Sequence, residues 1–258
     1  MAQKKKIEAT IVSQKQIAEQ IYDLWLETKL AKDAHPGQFV AVYPHHESTL
    51  LPRPISICEV SEDRKRLRLV YRVAGKGTAE FAAYGAGDTL ALLGVLGNGF
   101  PVGKARGKSV FLMGGGIGIP PMLELAKQLD CGKQILLGYR DKDLFLQEDL
   151  ARYGDVYVAT EDGSAGTKGN VMDIINAHGL AADVIMACGP MPMLKAIKKY
   201  AADKGIEAYI SLEERMACGV GACLGCVCKT AKVDSHSHVH NARICTDGPV
   251  FEAREVDI

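Results

Sequence analysis

Four cysteines of the chain are spaced in a way that suits an iron–sulfur cluster. Cys218, Cys223 and Cys226 lie in one short stretch and Cys245 follows alone, which gives the pattern C-x4-C-x2-C…C. Four thiolates with this spacing hold 2Fe–2S clusters. The glycines that let the backbone turn tightly and bring N–H groups to the sulfurs are Gly219, Gly221 and Gly225. The pattern predicts a protein through which electrons pass singly.

Two other interpretations of the cysteines are possible. Structural zinc also takes four thiolates, but its ligands usually form two short C-x2–4-C pairs, so three cysteines in one loop favour a cluster. A disulfide framework fits less well, because the chain shows no signal peptide and Cys58, Cys131 and Cys188 have no pairing pattern. We therefore expect a reducing compartment and predict a cytoplasmic location.

Composition excludes several classes of function. The chain has 258 residues, of which 47% are hydrophobic and 24% charged, and its formal net charge is zero. Such a balance is ordinary for a globular protein, and it offers no basic surplus for nucleic acid. No apolar run approaches the roughly 20 residues of a membrane-spanning helix. We expect neither a nucleic acid nor a membrane as a partner.

The hydrophobic pattern divides the chain into three predicted domains. Residues 1–103 contain short apolar segments at regular spacing, which predict a small antiparallel β-barrel. Residues 104–208 alternate strands with helices, which predicts an α/β domain with a doubly wound parallel sheet. Residues 209–258 carry the four cysteines and form the predicted iron–sulfur domain. The fold class is therefore multi-domain.

Glycine-rich loops in residues 104–208 predict a dinucleotide site. The run Gly114–Gly118 lies between a strand and a helix, where backbone N–H groups can approach a pyrophosphate. Cys188, Gly189 and Pro190 end a later strand at the same predicted sheet edge, and the polar segment 160–164 ends a third. An ordinary tight turn is the simpler interpretation of any one loop, but three at one edge form a crevice. The candidate residues are Gly115, Gly116, Gly118, Cys188, Gly189 and Pro190.

The predicted barrel holds two weaker signals. Arg53 offers a planar fork of donors for a phosphate, and Ser56 offers a hydroxyl for a polar ring. Gly77 and Thr78 precede a predicted helix at 79–83, so their N–H groups could face phosphate too. A surface arginine and an ordinary turn would explain the same residues.

Taken together, these motifs resemble those of the ferredoxin–NADP reductase superfamily. Within it, the tail is similar to that of the electron-transfer subunits of dihydroorotate dehydrogenase B, and the resemblance spans essentially the whole chain. The motifs that carry it are Arg53-Pro54-Ile55-Ser56, Gly75-Lys76-Gly77-Thr78, Gly114–Gly118 with Pro120, Cys188-Gly189-Pro190, the segment 211–226 and the segment 245–251.

The resemblance implies a set of cofactors and ligands. Arg53 would bind the FAD pyrophosphate, Ser56 would lie near the isoalloxazine with Pro54 and Ile55 between them, and Gly77 and Thr78 would hold the phosphates. Three further residues would line the flavin, partly through backbone groups: Val70, Tyr71 and Arg72. The turn 97–100 would close the barrel beside it. The cluster ligands would be Cys218, Cys223, Cys226 and Cys245.

The resemblance also implies a partner and a path for electrons. Electrons would pass from NADH to FAD, to the 2Fe–2S cluster, and then to FMN on a catalytic subunit that oxidises dihydroorotate to orotate, with two of each chain in the assembly. We predict no catalytic residue beyond the cofactor ligands. A reductase subunit of a hydrogenase or transhydrogenase complex, and a redox-sensing iron–sulfur module, remain as alternatives.

Three details stay open at this stage. Asp162 and Ser164 are candidate neighbours of the nicotinamide. Arg140 could meet the 2′-phosphate of NADP, whereas the adjacent Asp141 favours NAD. Finally, a histidine-rich stretch could bind a second metal or simply form a solvated hairpin tip: His236, His238 and His240.

Overall fold

The structure is a computed structural model that describes residues 5–46, 49–233 and 238–258. It consists of a closed β-barrel, a seven-stranded sheet flanked by helices, and a small cysteine-bearing segment. The predicted fold class is confirmed. The division at residues 103/104 and 208/209 stays a prediction, and one strand, Glu207–Ser211, runs across the second boundary.

Six antiparallel strands form the barrel, and β1 closes it by pairing with both β2 and β6. The order around the barrel is β1-β2-β5-β4-β3-β6. The strands are β1 Lys5–Ala18, β2 Ile21–Glu27, β3 Phe39–Tyr43, β4 Arg53–Val60, β5 Arg66–Arg72 and β6 Thr89–Leu96. One helix, α1 Lys76–Phe81, follows β5 and begins three residues earlier than the sequence predicts. Alternating apolar residues of every strand fill the interior.

The sheet has the order β10-β9-β8-β7-β11-β12-β15, and all neighbouring strands run parallel except the edge pair β12–β15. Its central strands β7 and β11 are almost wholly apolar and buried, as expected for a sheet covered on both faces. The strands are β7 Val110–Gly115, β8 Lys133–Tyr139, β9 Asp155–Thr160, β10 Thr167–Lys168, β11 Val184–Cys188, β12 Glu207–Ser211 and β15 Val250–Glu252.

Four helices connect the parallel strands. They are α2 Pro121–Gln128, α3 Gln147–Ala151, α4 Val171–His178 and α5 Met191–Lys204. Local signals fix their ends: Pro121 opens α2, and the Asn170 side chain accepts the Met172 N–H at the start of α4. Gly179 and Gly205, both at positive φ, end α4 and α5.

The cysteine-bearing segment has little regular structure of its own. Its hairpin consists of β13 Val227–Lys229 and β14 Asn241–Arg243. The chain then returns as β15 to the edge of the large sheet, so this segment is attached to the α/β domain at both ends. Asn98 attaches it to the barrel as well, because its side chain donates to the carbonyls of Asp247 and Val250 and accepts the Val250 N–H.

Two further expectations concern what lies outside the sheets. Within the described part of the chain, no helix is long and apolar enough to span a membrane. Of the three histidines considered for a second metal, His236 lies outside the described residues. His238 and His240 are exposed, and His240 Nδ1 lies 3.3 Å from the Thr230 carbonyl oxygen.

Candidate functional site

The first candidate site is a crevice of about 540 Å³ between the barrel and the carboxyl ends of the parallel strands. Loops that follow β7, β8, β9 and β11 form most of its walls, as expected for a ligand crevice in an open α/β sheet. Three of the predicted nucleotide-binding residues line it, namely Gly115, Gly116 and Pro190. From the barrel side it is lined by Arg72 and by the β1–β2 turn.

The glycines of the crevice are required by close packing of its loops. A Cβ at Gly118 would lie 2.6 Å from the Gly189 nitrogen and closer still to the Cys188 carbonyl. A Cβ at Gly115 would lie 2.6 Å from Met193 Sδ. These contacts leave no room for a side chain, so the loops after β7 and β11 meet backbone to backbone. Gly118, Cys188 and Gly189 are thus brought together beside the crevice without lining it.

Cys188 shapes the crevice through its backbone and not through its thiol. Burial raises the pKa of the Cys188 thiol to about 12, although a hydrogen bond with Ser211 opposes the shift. A thiol with this pKa stays protonated at neutral pH and is a poor nucleophile. The residue therefore shapes the crevice through its carbonyl and contributes no thiolate to it.

The segment 160–164 after β9 lines the crevice through Glu161, and not through Asp162 or Ser164. Asp162 and Ser164 bond each other, with Ser164 Oγ 2.7 Å from Asp162 Oδ1, and neither lines the crevice. Glu161 and Asn170 line it instead. Sequence reasoning included Glu161 only as part of the segment 160–164 and did not single out Asn170, although Asn170 carried a signal as an N-cap residue at the start of α4.

A second candidate site lies on the barrel, where Arg53 meets the start of α1. A Cβ at Gly77 would lie 2.8–2.9 Å from the Arg53 guanidinium, so this side chain covers the glycine. Thr78 is buried, and its Oγ1 accepts the N–H groups of Ala74 and Gly75 at 2.9 and 3.2 Å. The threonine thus fixes the turn, while the arginine and the Gly77 backbone form a cradle suited to phosphate.

The remaining barrel candidates fall into an accessible and a buried group. Residues 53–56 are all partly exposed along β4, with Pro54 and Ser56 on one face and Arg53 and Ile55 on the other. Val70 is buried, and so is Tyr71.

The contacts of Tyr71 place its ring in the barrel core. Its hydroxyl donates to Gln14 Oε1 at 2.9 Å, and its ring packs on Tyr22 and Phe81. Burial also raises its pKa. A cofactor could reach Val70 and Tyr71 only through their backbone. Arg72 lies apart from Arg53, on the nucleotide crevice.

The four cysteines converge as two pairs. The side chain of Cys223 hydrogen-bonds that of Cys218, and the side chain of Cys226 hydrogen-bonds that of Cys245. The charge of Cys218 also acts on Cys245, so the two pairs are close together. Among the residues that the structure describes, no three or more side chains converge as the ligands of a single ion would. Two thiolates for each of two irons is the ligand set of a 2Fe–2S cluster.

Backbone N–H groups surround the first pair. The N–H of Val220 points at Cys218 Sγ, and that of Gly225 points at Cys223 Sγ, each at 3.4 Å. Burial raises the pKa of Cys218, but these and neighbouring hydrogen bonds outweigh it and lower the pKa to about 6. Burial and the Cys226 hydrogen bond raise the pKa of Cys245 to about 11. The loop therefore already favours a thiolate at Cys218, which is the form that binds iron.

The cysteine loop packs directly on the barrel. Gly219, at φ 68°, faces Leu96 and Ala41, and a Cβ there would lie 3.2 Å from Leu96 Cδ1 and 4.0 Å from Ala41 Cβ. Ala41 on β3 pairs in turn with Pro54 on β4. The cysteine loop is thus one strand away from the candidate phosphate-binding strand.

Comparison with known proteins adds three findings on sequence. Residues 213–257 match the family model described as the iron–sulfur cluster binding domain of dihydroorotate dehydrogenase B. The chain is 44% identical over 259 residues to a protein from Geobacillus sp. (strain WCH70), with 98% of each chain covered. It is 45% identical over 254 residues to one from Bacillus mycoides (strain KBAB4), with 95% of this chain and 96% of the other covered. Both are named "Dihydroorotate dehydrogenase B (NAD(+)), electron transfer subunit".

Solved structures share the fold. One, reported for the NADH-dependent reduced ferredoxin-NADP oxidoreductase of flavin-based electron bifurcation, matches with a TM-score of 0.86 and 30% identity, covering 100% of this chain and 91% of that one. A ferredoxin NADP+ reductase from Neisseria gonorrhoeae, with bound FAD and NADP, matches the fold with a TM-score of 0.64 and 19% identity. That match covers 83% of this chain and 95% of the other.

Proposed function

The chain belongs to the family of dihydroorotate dehydrogenase B electron transfer subunits, and from that membership we propose that it passes electrons from NADH, through FAD and a 2Fe–2S cluster, to a catalytic dihydroorotate dehydrogenase subunit. The single observation that carries the proposal is the position of the barrel. It contacts the nucleotide crevice through Arg72 and the cysteine loop through Ala41 and Leu96. A flavin on this barrel would therefore lie between the two.

We assign the flavin to the accessible part of the barrel. Arg53 and the Gly77 N–H would bind the pyrophosphate, and Thr78 holds the turn that presents them. Pro54, Ile55 and Ser56 offer the exposed length of β4 to the ring system. Val70 and Tyr71 contribute backbone groups only. Arg72 lies on the crevice, where it would face the dinucleotide.

We assign the dinucleotide to the 540 Å³ crevice. Gly115 and Gly116 let its phosphates approach the backbone, and Pro190 lines the opposite loop. Gly118, Cys188 and Gly189 hold the two loops together. When bound, flavin accepts the paired electrons of a nicotinamide and releases them singly, as a one-electron cluster requires. The chain's own residues bind and orient the groups that react.

We assign the cluster to the four cysteines, whose thiolates would hold it: Cys218, Cys223, Cys226 and Cys245. The supporting observation is the donor set, which is four thiols with backbone N–H groups aimed at the sulfurs. Arg243 and Asp247 brace the loop through two hydrogen bonds of 3.0 and 3.1 Å.

The test is an absorption spectrum of the anaerobically purified protein before and after NADH is added. We expect flavin and iron–sulfur bands, bleaching of both by NADH, and two irons per chain. A protein with neither flavin nor iron would overturn the proposal. Bleaching without electron delivery to a dihydroorotate dehydrogenase subunit would point instead to another reductase complex, and failure to bleach would point to a redox-sensing module.

We propose NADH as the nucleotide because of the charges at one wall of the crevice. The loops after β8 and β9 bring three carboxylates to the crevice, Asp141, Asp143 and Glu161, together with the cation Arg140, while Arg72 lines it from the barrel side. Asp141 is half-buried, and its Oδ1 accepts the Asp143 N–H at 2.9 Å, which holds the carboxylate in place. A carboxylate here can bond a ribose 2′-hydroxyl and repels a 2′-phosphate.

Replacing Asp141 by Asn tests this preference. We expect kcat/KM for NADPH relative to NADH to rise roughly tenfold, the equivalent of about 1.4 kcal/mol. Asp155→Asn, on an exposed residue outside the crevice, is the matched control. An unchanged ratio in the Asp141 variant would contradict this choice of nucleotide.

The catalytic subunit is proposed to dock over the cysteine loop. Three apolar side chains are exposed beside the ligands, namely Val220, Leu224 and Val227, and Leu224 is 61% exposed. Exposed apolar side chains grouped on a loop are typical of a contact surface. The FMN on that subunit, an assembly of two of each chain and a cytoplasmic location stay predictions.

Replacing Leu224 by Asn tests the docking face. Leu224 has a positive φ of 55°, and asparagine tolerates that conformation, so only the side chain is changed. We expect affinity for the catalytic subunit to fall about tenfold with the iron content unchanged. Val233→Asn removes another exposed apolar side chain as a control. Equal losses in the two variants would argue against this face.

A further inference from the structure

One wall of the nucleotide crevice is a loop that runs from the sheet into a short helix. Residues 140–146, here called the crevice wall, connect β8 to α3, and Arg140, Asp141, Asp143 and Phe145 line the cavity. The first end continues from the sheet, where Tyr139 Oη donates to the Phe145 carbonyl at 3.0 Å. The other end runs through Leu146, at φ 62°, into α3.

Helix α3 is too short to fix that second end by itself. It has five residues, and a single helical turn is not stable without contacts to other parts of the protein. Leu146 and Leu150 are buried and anchor its apolar side. On its polar side, Asp149 Oδ2 accepts a hydrogen bond of 3.1 Å from Arg68 Nη2. Arg68 belongs to β5 of the barrel, so this contact crosses between the domains.

Arg68 is a rigid partner for that contact. Its side chain is only 10% exposed, and its Nε and Nη2 bond the two oxygens of Asp23 at 2.9 and 3.0 Å. Its Nη1 bonds Glu59 Oε2 at 3.1 Å. Because its Nε, Nη1 and Nη2 are all hydrogen-bonded, the guanidinium has one orientation, in which Nη2 faces Asp149. A partly buried, charge-assisted bond of this kind is stronger than a pair in water.

We propose that Arg68, acting through Asp149, is a positioning residue for the dinucleotide: the barrel holds the crevice wall in its binding conformation. This inference rests on the assignment of the dinucleotide to the crevice. It makes nucleotide affinity depend on a charge pair that lies outside the cavity, since neither Arg68 nor Asp149 lines it. This pair adds to the contacts by which Glu124 and Lys127 of α2 already join the α/β domain to β4 of the barrel.

The test compares three variants of the holoprotein. Asp149→Asn removes the charge with little change of shape. Asp149→Glu restores the charge. Arg152→Gln is the matched control, because Arg152 Nη2 also contacts Asp149, at 3.6 Å, but is 71% exposed and does not touch the barrel. The readouts are the Kd of NAD+ by calorimetry, KM and kcat for NADH, flavin content, and the rate of trypsin cleavage at Arg140 and Lys142.

We expect Asp149→Asn to raise the Kd of NAD+ and the KM of NADH about fivefold, the lower end of typical coupling between sites. At saturating NADH, kcat and flavin content should stay unchanged, because the redox groups are untouched. Trypsin should cleave the crevice wall faster, and NAD+ should slow the cleavage. Asp149→Glu should recover most of the affinity, and Arg152→Gln should match the wild type.

Two results would overturn the inference. One is wild-type affinity and trypsin sensitivity in Asp149→Asn. The other is a loss of flavin and of thermal stability in parallel with affinity, which would show a general structural role. If the asparagine variant does not fold, Asp149→Ser carries the same expectation. A wild-type holoprotein that binds no NAD+ would refute the proposed function itself, whereas wild-type binding with an unaffected variant would refute only this step.

Discussion

The nucleotide crevice and the cysteine loop are both made of glycine-rich loops, yet they are held in different ways. The crevice loops extend from β7 and β11, whose side chains are almost completely buried in the middle of a seven-stranded sheet. Gly118 and Gly189 meet there backbone to backbone. Close packing of this kind leaves a single arrangement, so the crevice exists before any nucleotide enters.

The cysteine loop rests on less regular structure. Among the described residues, its regular structure is a hairpin of two three-residue strands, and Leu224 in the middle of the loop is both exposed and at a positive φ. Gly219 contacts the barrel, and the Arg243–Asp247 pair braces the far side. The comparison indicates that packing forms the crevice, whereas bound iron completes the cysteine loop.

The strongest test of this difference is Cys223→Ser. Cys223 is an exposed ligand of the first cysteine pair, so its loss should abolish cluster binding. We expect iron and electron delivery to the catalytic subunit to fall to background, while flavin content and flavin reduction by NADH persist. Iron analysis and stopped-flow spectra measure these. Cys131→Ser, in a turn of the α/β domain, is the control and should change neither.

Gly118→Ala tests the crevice in the same way. The new methyl group would collide with the Cys188–Gly189 backbone, which cannot move without disturbing β11. We expect a loss of about 1–3 kcal/mol in the free energy of unfolding, typical of overpacking, together with weaker nucleotide binding. Gly132→Ala is the control, since no atom lies within 4 Å of its added Cβ. A Gly118 variant as stable as the control would mean that the crevice is not fixed by packing.

Removing the iron should loosen the cysteine loop and leave the strands beneath the crevice unchanged. We expect amide hydrogen exchange to become faster at residues 218–228 and 241–247 and to stay unchanged in β7 and β11. Mass spectrometry of the holoprotein and of chelator-treated protein provides the measurement. Uniform acceleration along the whole chain would contradict the contrast between the two regions.

The smallest expected effect concerns the surface ion pairs of Glu207, which begins β12 of the large sheet. Hydrogen bonds from Lys104 and Lys108, at 3.2 and 3.3 Å, lower the pKa of Glu207. A lowered carboxylate pKa stabilises the fold above the unfolded value near 4.3, and the contribution is lost as pH falls through the folded pKa. Because the side chains are exposed, Glu207→Gln should cost less than about 1 kcal/mol at pH 7, and the cost should shrink as pH falls through the folded pKa.

Local sequence signals predicted much of the fold. The alternation of strands and helices over residues 104–208 predicted the parallel sheet, and the regularly spaced apolar segments of residues 1–103 predicted the barrel, because both patterns are local. The strand β15 was not predicted. Val250–Glu252 has only three residues, and its place at the sheet edge depends on pairing with a strand some forty residues earlier, which no local pattern reveals.

In the candidate sites, too, local patterns predicted some residues, whereas only the tertiary fold brings the others into place. The spacing in the sequence was enough to group the four cysteines, because three of them lie in one loop and the fourth follows that loop along the chain. The crevice was predicted from its glycines, but its charged wall at 140–146 was noticed only through Arg140 and Asp141. Gly138, Glu161 and Asn170 also line the cavity, because the tertiary fold brings them there. The burial of Tyr71 in the barrel likewise depends on Gln14, Tyr22 and Phe81, which come from three other segments.

The antiparallel strand β15 has a consequence for how the protein is made. Residues 250–252 leave the ribosome after every other strand of the sheet, and until they arrive β12 has an open edge. An unpaired edge strand is a template for pairing with another chain. A nascent chain stalled before residue 250, or a product truncated there, would therefore be prone to self-association even though its barrel and its parallel strands had already been synthesised.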